Sequence, residues 1–151
     1  QNIVIGGAAG SFGVLAGWTT TGAPLDATAW LLAALVFLWT PPHFWGLAIA
    51  RDGDYRAAGV PMLPQTRGVR ATSRWIAGYA TKILAVSLAL VPVAGFGLPY
   101  AAIATVAGVA FLALCLRTVR SGDARSALQV FRASGAYLGV LLIAMLLAPP
   151  V

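Results

Sequence analysis

The sequence predicts an all-α, polytopic transmembrane helical bundle, and three observations carry that prediction. The chain is 60% hydrophobic and only 9% charged, with a mean hydropathy of +0.85. A soluble domain carries roughly 25% charged residues, so this chain has too few to give its length a water-facing surface. The apolar residues also gather into five runs of the kind a bilayer requires. Finally, nine of the ten basic residues fall in two segments between runs, 51–74 and 117–133.

The first run, 3–22, is rich in small residues, among them Gly6, Gly7, Ala8, Ala9 and Gly10. No charged segment or cleavage site precedes it, so it does not read as a signal peptide. The chain starts at Gln1 rather than Met, and the expectation is that the true N-terminus lies upstream. The second run covers 27–50 and the third 75–96. The fourth covers 98–116 and carries Ala104, Ala107, Gly108 and Ala110. The fifth covers 134–148. About 20 helical residues rise about 30 Å, enough to cross the hydrocarbon. By that measure the first and last runs are marginal. Small residues along a run let helix backbones approach closely, the usual basis of packing in lipid.

The connections alternate in charge. Arg51, Arg56, Arg67, Arg70 and Arg74 lie between the second and third runs, and Arg117, Arg120, Arg125 and Arg132 between the fourth and fifth. The connections near 23–26 and at Gly97 carry no Lys or Arg. Positive-inside topology therefore puts both arginine segments on the cytoplasmic side, or the matrix side in a mitochondrion, and the C-terminus outside. The expected location is the cytoplasmic membrane of a prokaryote, or the mitochondrial inner membrane in a eukaryote. The net charge of +6 is explained by this topology, so no nucleic-acid partner is expected. Cys115 is the one cysteine and sits in an apolar run, where it reads as a small buried hydrophobe.

Chemistry concentrates near the inner ends of the runs. The second run contains Trp39-Thr40-Pro41-Pro42-His43-Phe44-Trp45-Gly46. Pro41 and Pro42 lack N–H donors, which frees the carbonyls of Phe37 and Leu38, and the pair is expected to kink or break the helix. Freed carbonyls inside a bilayer are tolerated only against protein or a wet cavity. His43 therefore reads as a functional residue beside an aromatic wall, with a hydrogen-bonded packing role as the bland alternative. Lys82 lies at a similar expected depth in the third run. A functional role and simple snorkelling to the interface stand even for it.

The segment after the second run reads Arg51-Asp52-Gly53-Asp54-Tyr55-Arg56-Ala57-Ala58-Gly59-Val60-Pro61-Met62-Leu63-Pro64 and holds two of the four acidic residues. Carboxylates suit Mg²⁺, especially Mg²⁺ that also holds phosphate. Arginines pair with polyanions, bidentately where geometry allows. Spacing alone leaves two equal readings, a diphosphate–Mg²⁺ site or a topogenic loop with local Arg–Asp pairs. A polar site opening inward, with apolar walls behind it, suits an amphiphile with a charged head.

Three stretches together resemble the protohaem IX farnesyltransferases (haem O synthases), a branch of the UbiA-type intramembrane prenyltransferases. They are Gln1-Asn2-Ile3-Val4-Ile5-Gly6-Gly7-Ala8-Ala9-Gly10, then Trp39-Thr40-Pro41-Pro42-His43-Phe44-Trp45, then Asp54-Tyr55-Arg56-Ala57-Ala58-Gly59-Val60-Pro61-Met62-Leu63-Pro64. They occur in family order and at family spacing over residues 1–64, and the rest of the chain matches as hydrophobic pattern. The resemblance implies a nine-helix parent around a central cavity. Residues 1–151 would be the C-terminal portion of that single domain, holding about five of its helices. It also implies farnesyl transfer from farnesyl diphosphate to a vinyl group of haem b, with Mg²⁺ bound at two acidic motifs.

Asp52 and Asp54 fall in the region of the second motif, at D-x-D rather than D-x-x-x-D spacing. The first motif is expected upstream, so this chain alone is expected to be inactive. The candidate catalytic residues are His43, Asp52, Asp54, Tyr55 and Lys82, with Asp52 and Asp54 as metal ligands. The candidate substrate-binding residues are Asn2, Trp39, Phe44, Trp45, Arg51, Arg56, Arg67 and Arg70. Aromatic faces would stabilise a developing allyl cation, and His43 would either ligate haem iron or position water. Expected partners are farnesyl diphosphate, haem b and the lipid bilayer, with other haem-pathway or terminal-oxidase assembly proteins as further candidates. The competing readings are another UbiA-type prenyltransferase, a transporter built on a proline-broken helix, and a non-catalytic assembly subunit.

Overall fold

The computed structural model describes residues 2–147. Gln1, the Asn2 side chain and Ala148, the last residue of the fifth expected run, lie outside that description. Among the described residues there are seven helices: α1 (Asn2–Thr19), α2 (Ala27–Ala50), α3 (Asp52–Ala57), α4 (Leu63–Arg67), α5 (Val69–Ala94), α6 (Leu98–Ser121) and α7 (Ala124–Leu147). Helices α2, α5, α6 and α7 are each long and apolar enough to cross a membrane. The chain is therefore an integral membrane protein. Helix α1, of 18 residues, is the short apolar helix that its run length suggested.

Several boundaries differ from expectation. Segment 117–133 is not a loop: α6 runs to Ser121 and α7 starts at Ala124, leaving a turn of Gly122 and Asp123. Gly122 adopts φ 63°, a left-handed geometry that glycine takes without steric cost. Asp123 Oδ1 then accepts the Ser126 backbone N–H at 2.7 Å and caps α7. That bond, helped by the Ser121 hydroxyl, holds the Asp123 carboxyl below the usual range. Likewise α5 begins at Val69, six residues before its expected start. Hydropathy marks where a helix enters lipid, whereas these caps mark where it starts, so the arginines ride on helix ends outside the apolar windows.

The double proline does not break α2, which runs unbroken through Pro41 and Pro42. Both prolines are fully buried. The carbonyl that Pro41 frees, that of Phe37, lies against α1: a Cβ at Gly7 would sit 3.3 Å from it. Thr40 Oγ1 donates to the Val36 carbonyl at 2.9 Å. Packing against a glycine-faced neighbour therefore covers the freed backbone and lets the helix continue past the prolines.

Helix α2 packs on α5 and α7, α5 on α6, and α6 on α7, which closes a four-helix ring, with α1 packed against α2. The ring is filled by Ile76, Ile83 and Leu90 of α5, at seven-residue steps, against Tyr100, Phe111 and Cys115 of α6 and Val130, Tyr137 and Leu141 of α7. Seven-residue steps keep one stripe of a helix against its neighbour. In lipid that stripe is held by packing and hydrogen bonds rather than by escape from water.

One polar cluster crosses this core. Ser87 Oγ bonds the Ile83 carbonyl at 2.8 Å and the Tyr137 hydroxyl at 2.7 Å, and the Tyr100 hydroxyl donates to the Ser87 carbonyl at 3.1 Å. Ser87→Ala should cost more than Tyr137→Phe. The first orphans a buried Tyr137 hydroxyl, at about 1–3 kcal/mol. The second leaves Ser87 its Ile83 bond and loses about 0.6 kcal/mol, the mean of such bonds in membranes. Thermal unfolding in detergent measures both, and equal losses would refute the asymmetry.

Candidate active site on one side of helix α2

The sequence packs three neighbours around α2, and each takes a different side. Helix α1 meets it through Gly7 at Phe37 and Thr40, and through Ser11 Oγ, which donates to the Ala33 carbonyl at 2.9 Å. Helix α5 meets it where Trp45 lies edge-on to Tyr79, with centroids 5.5 Å apart. Helix α7 meets it at Trp39, His43 and Gly46. A Cβ on Gly46 would stand 3.1 Å from the Ala127 carbonyl oxygen and 3.2 Å from the Phe131 nitrogen, so any larger residue would have to push the two backbones apart.

That close approach builds the surroundings of His43. Its Nδ1 lies 2.8 Å from Ser134 Oγ. Trp39 stacks on one side of the imidazole at 4.4 Å and Phe131 lies tilted at 4.4 Å, with Phe44 edge-on at 5.3 Å. Trp39 Nε1–H donates to the Ser134 carbonyl at 2.7 Å. The imidazole is thus held in an aromatic cage between α2 and α7. Leu47 follows His43 by one turn on the same side. It lines a pocket of about 440 Å³ together with Arg51, Asp54, Tyr55, Ala58 and Val60. An imidazole in an apolar span and a pocket edged by acid, guanidinium and phenol therefore share one flank of α2.

The two aspartates part company. They stand two residues apart on α3, about 200° around a helix. Asp54 Oδ2 accepts from Arg51 Nη1 at 3.2 Å, and its side chain is 71% exposed. Asp52 Oδ2 accepts from Arg56 Nε at 2.7 Å. Its other oxygen is buried and has no partner among the described residues. Gln65 Nε2 reaches the Asp52 carbonyl at 3.5 Å, tying α3 to α4. Asp52 and Arg56 thus fold the short helix, while Asp54 opens to the pocket.

The remaining candidates lie elsewhere. Arg67 and Trp45 line a separate crevice of about 450 Å³ with Val4, Leu63, Trp75 and Tyr79. Lys82 is exposed, with Nζ 5.2 Å from the centre of the Tyr79 ring, and so belongs to the α5 side rather than to His43. Arg70 is exposed in the first turn of α5. The Asn2 side chain lies outside the described residues. Sequence reasoning missed Phe131 and Ser134. Neither carries a motif, and Ser134 is 91 residues from its partner His43.

The model of the UbiA prenyltransferase family matches residues 1–148. The chain belongs to the UbiA prenyltransferase family. It is 47% identical over 148 residues to the protoheme IX farnesyltransferase of Frankia alni, covering 96% of this chain and 51% of that protein. It is 44% identical over 146 residues to the protoheme IX farnesyltransferase of Marinobacter nauticus, covering 97% and 48%. The protein of the same name in Halobacterium salinarum is 41% identical over 147 residues, covering 97% and 33%. The chain spans about half the length, or less, of the curated relatives it matches. No solved structure matches it. The family places the caged imidazole and the Asp54 pocket in a prenyltransferase scaffold, and α2 runs unbroken where the transporter reading called for a proline-broken helix.

Proposed function

We propose that the chain is the C-terminal portion of a protohaem IX farnesyltransferase, which joins the farnesyl group of farnesyl diphosphate to a vinyl group of haem b. The observation that carries this reading is the shared flank of α2. It sets His43 in the apolar span, with Arg51, Asp54 and Tyr55 around the pocket that Leu47 lines one turn beyond it. A haem lying against His43 would present its iron to the imidazole. A diphosphate would rest at the mouth beside Arg51. The names of the relatives agree with this reading.

In the reaction the C1–O bond of farnesyl diphosphate breaks and diphosphate leaves. The vinyl carbon of haem bonds to C1. Water adds to the resulting cation on the porphyrin side chain and loses a proton. Arg51 takes up charge on the leaving diphosphate, and Arg56 does so only if it releases Asp52. The exposed ring of Phe44, beside His43, offers a face to the developing allyl cation.

Mg²⁺ fits the mouth in part. Asp54 has an exposed carboxylate open to the pocket, and Mg²⁺ is commonly held by one or two carboxylates plus substrate phosphates. Among the described residues no three His, Cys, Asp or Glu side chains gather to hold a metal alone. Asp54 would hold the ion with the diphosphate, and the ion would supply charge neutralisation to the leaving group. Positive-inside topology puts this mouth on the cytoplasmic side.

The test is product formation by the full-length protein in membranes given farnesyl diphosphate, haem b and Mg²⁺, read by mass-resolved chromatography. Farnesylated haem that requires Mg²⁺ is the expected result. A folded, haem-binding preparation that makes none would overturn the reading.

A further inference from the structure

Ser134 makes bonds in two directions from one turn of α7. Its hydroxyl donates to the Phe131 carbonyl at 2.7 Å, and its Oγ lies 2.8 Å from His43 Nδ1. A hydroxyl has one proton and two lone pairs. With its proton on the Phe131 carbonyl, Ser134 Oγ can only accept from His43. In that arrangement Nδ1 carries the imidazole proton and Nε2 a lone pair; the opposite one, with Ser134 donating to Nδ1 and the proton on Nε2, would cost the Phe131 bond. The side-chain hydrogen bond of His43 is made at Nδ1, and the residue as a whole is only half-buried. The Trp39 and Phe131 rings, each 4.4 Å from the imidazole, prevent it from turning over. The Ser134 carbonyl fixes Trp39 in turn through the indole N–H.

We propose that Ser134 is a positioning residue that holds His43 as its Nδ1–H tautomer and so presents a proton-free Nε2 to the haem substrate. The assignment of haem as the molecule met by Nε2 rests on the function proposed above, whereas the tautomer does not. A ligating histidine whose other nitrogen donates to an acceptor is oriented and made more basic. Loss of such a partner typically costs 10–100-fold in metal affinity or activity.

The test uses the full-length protein labelled with ¹⁵N-histidine in detergent, with His43→Gln to identify the His43 resonances. Wild type should show a protonated Nδ1 and an unprotonated Nε2. Ser134→Ala should mix the two tautomers, weaken haem binding by about 10–100-fold, and raise KM for haem while leaving KM for farnesyl diphosphate in place. Ser134→Thr, which keeps the hydroxyl, should restore the wild-type tautomer. Unchanged ¹⁵N shifts in Ser134→Ala, or a wild-type Nε2–H form, would overturn the proposal. If the tautomer responds as expected but His43→Ala leaves the haem spectrum unaltered, the haem-binding reading falls while the positioning role of Ser134 stands.

Discussion

Asp54→Ala in the full-length protein should lower Mg²⁺-dependent product formation by about 10²–10³-fold, the usual cost of removing one group that stabilises developing charge. Asp52→Ala should lower it much less. The two carboxylates look equivalent as a D-x-D pair, but the fold gives them different work. Asp54 is 71% exposed and lines the pocket with Arg51 and Tyr55. Its one ion pair is an exposed contact, worth little to stability, so its loss should barely alter folding. Asp52 turns one oxygen to Arg56 and buries the other, and its backbone carbonyl accepts from Gln65 of α4. Its removal should loosen α3 and reduce thermal stability while raising the Mg²⁺ requirement only slightly. Parallel Mg²⁺ titrations of the two variants separate the cases. Equal losses of activity, or a Mg²⁺ response that shifts only in Asp52→Ala, would reverse the assignment.

Gly46→Val should destabilise the protein by more than the ~1–3 kcal/mol typical of overpacking and should also release His43 from its cage. The atoms a Cβ would meet here are the Ala127 carbonyl oxygen and the Phe131 nitrogen, both backbone. Neither can rotate away, so α2 and α7 must separate. Phe131 is the residue that covers the imidazole, and separation moves it together with Ser134. For a chain of this size each kcal/mol lowers Tm by about 2–4 °C. The control is Gly78→Ala on α5, where a Cβ would meet nothing. There alanine should stabilise the helix by about 0.5–1 kcal/mol. Thermal unfolding in detergent and the haem difference spectrum read both effects. A Gly46→Val protein with wild-type Tm would show that the α2–α7 contact is not tight.

Much of the fold is legible in the sequence, and for a simple reason. A bilayer demands long apolar runs and satisfied backbones, so composition and arginine placement alone mark the membrane helices. Helix α2 begins and ends where its run does, at Ala27 and Ala50. The motif around His43 and the segment from Asp54 to Pro64 also point to the family, because they are local strings. Boundaries set by caps were less visible: the Gly122–Asp123 turn shortens a connection that charge alone made look long. That the double proline does not break α2 is hidden from the sequence for a related reason. Whether a freed carbonyl breaks a helix depends on what covers it, and Gly7 of a neighbouring helix does so here.

The sequence by itself thus determined the membrane class, the helices and the residue types available for chemistry, since these follow from local composition and short motifs. Only the tertiary structure decided which of those residues meet. It set His43 against Ser134 across 91 residues, placed Trp45 against Tyr79 of α5, and turned Asp54 to a pocket shared with Leu47 of α2. Which side of α2 each residue faces is fixed by the helices packed around it, and that packing is a property of the whole bundle rather than of any one stretch of chain.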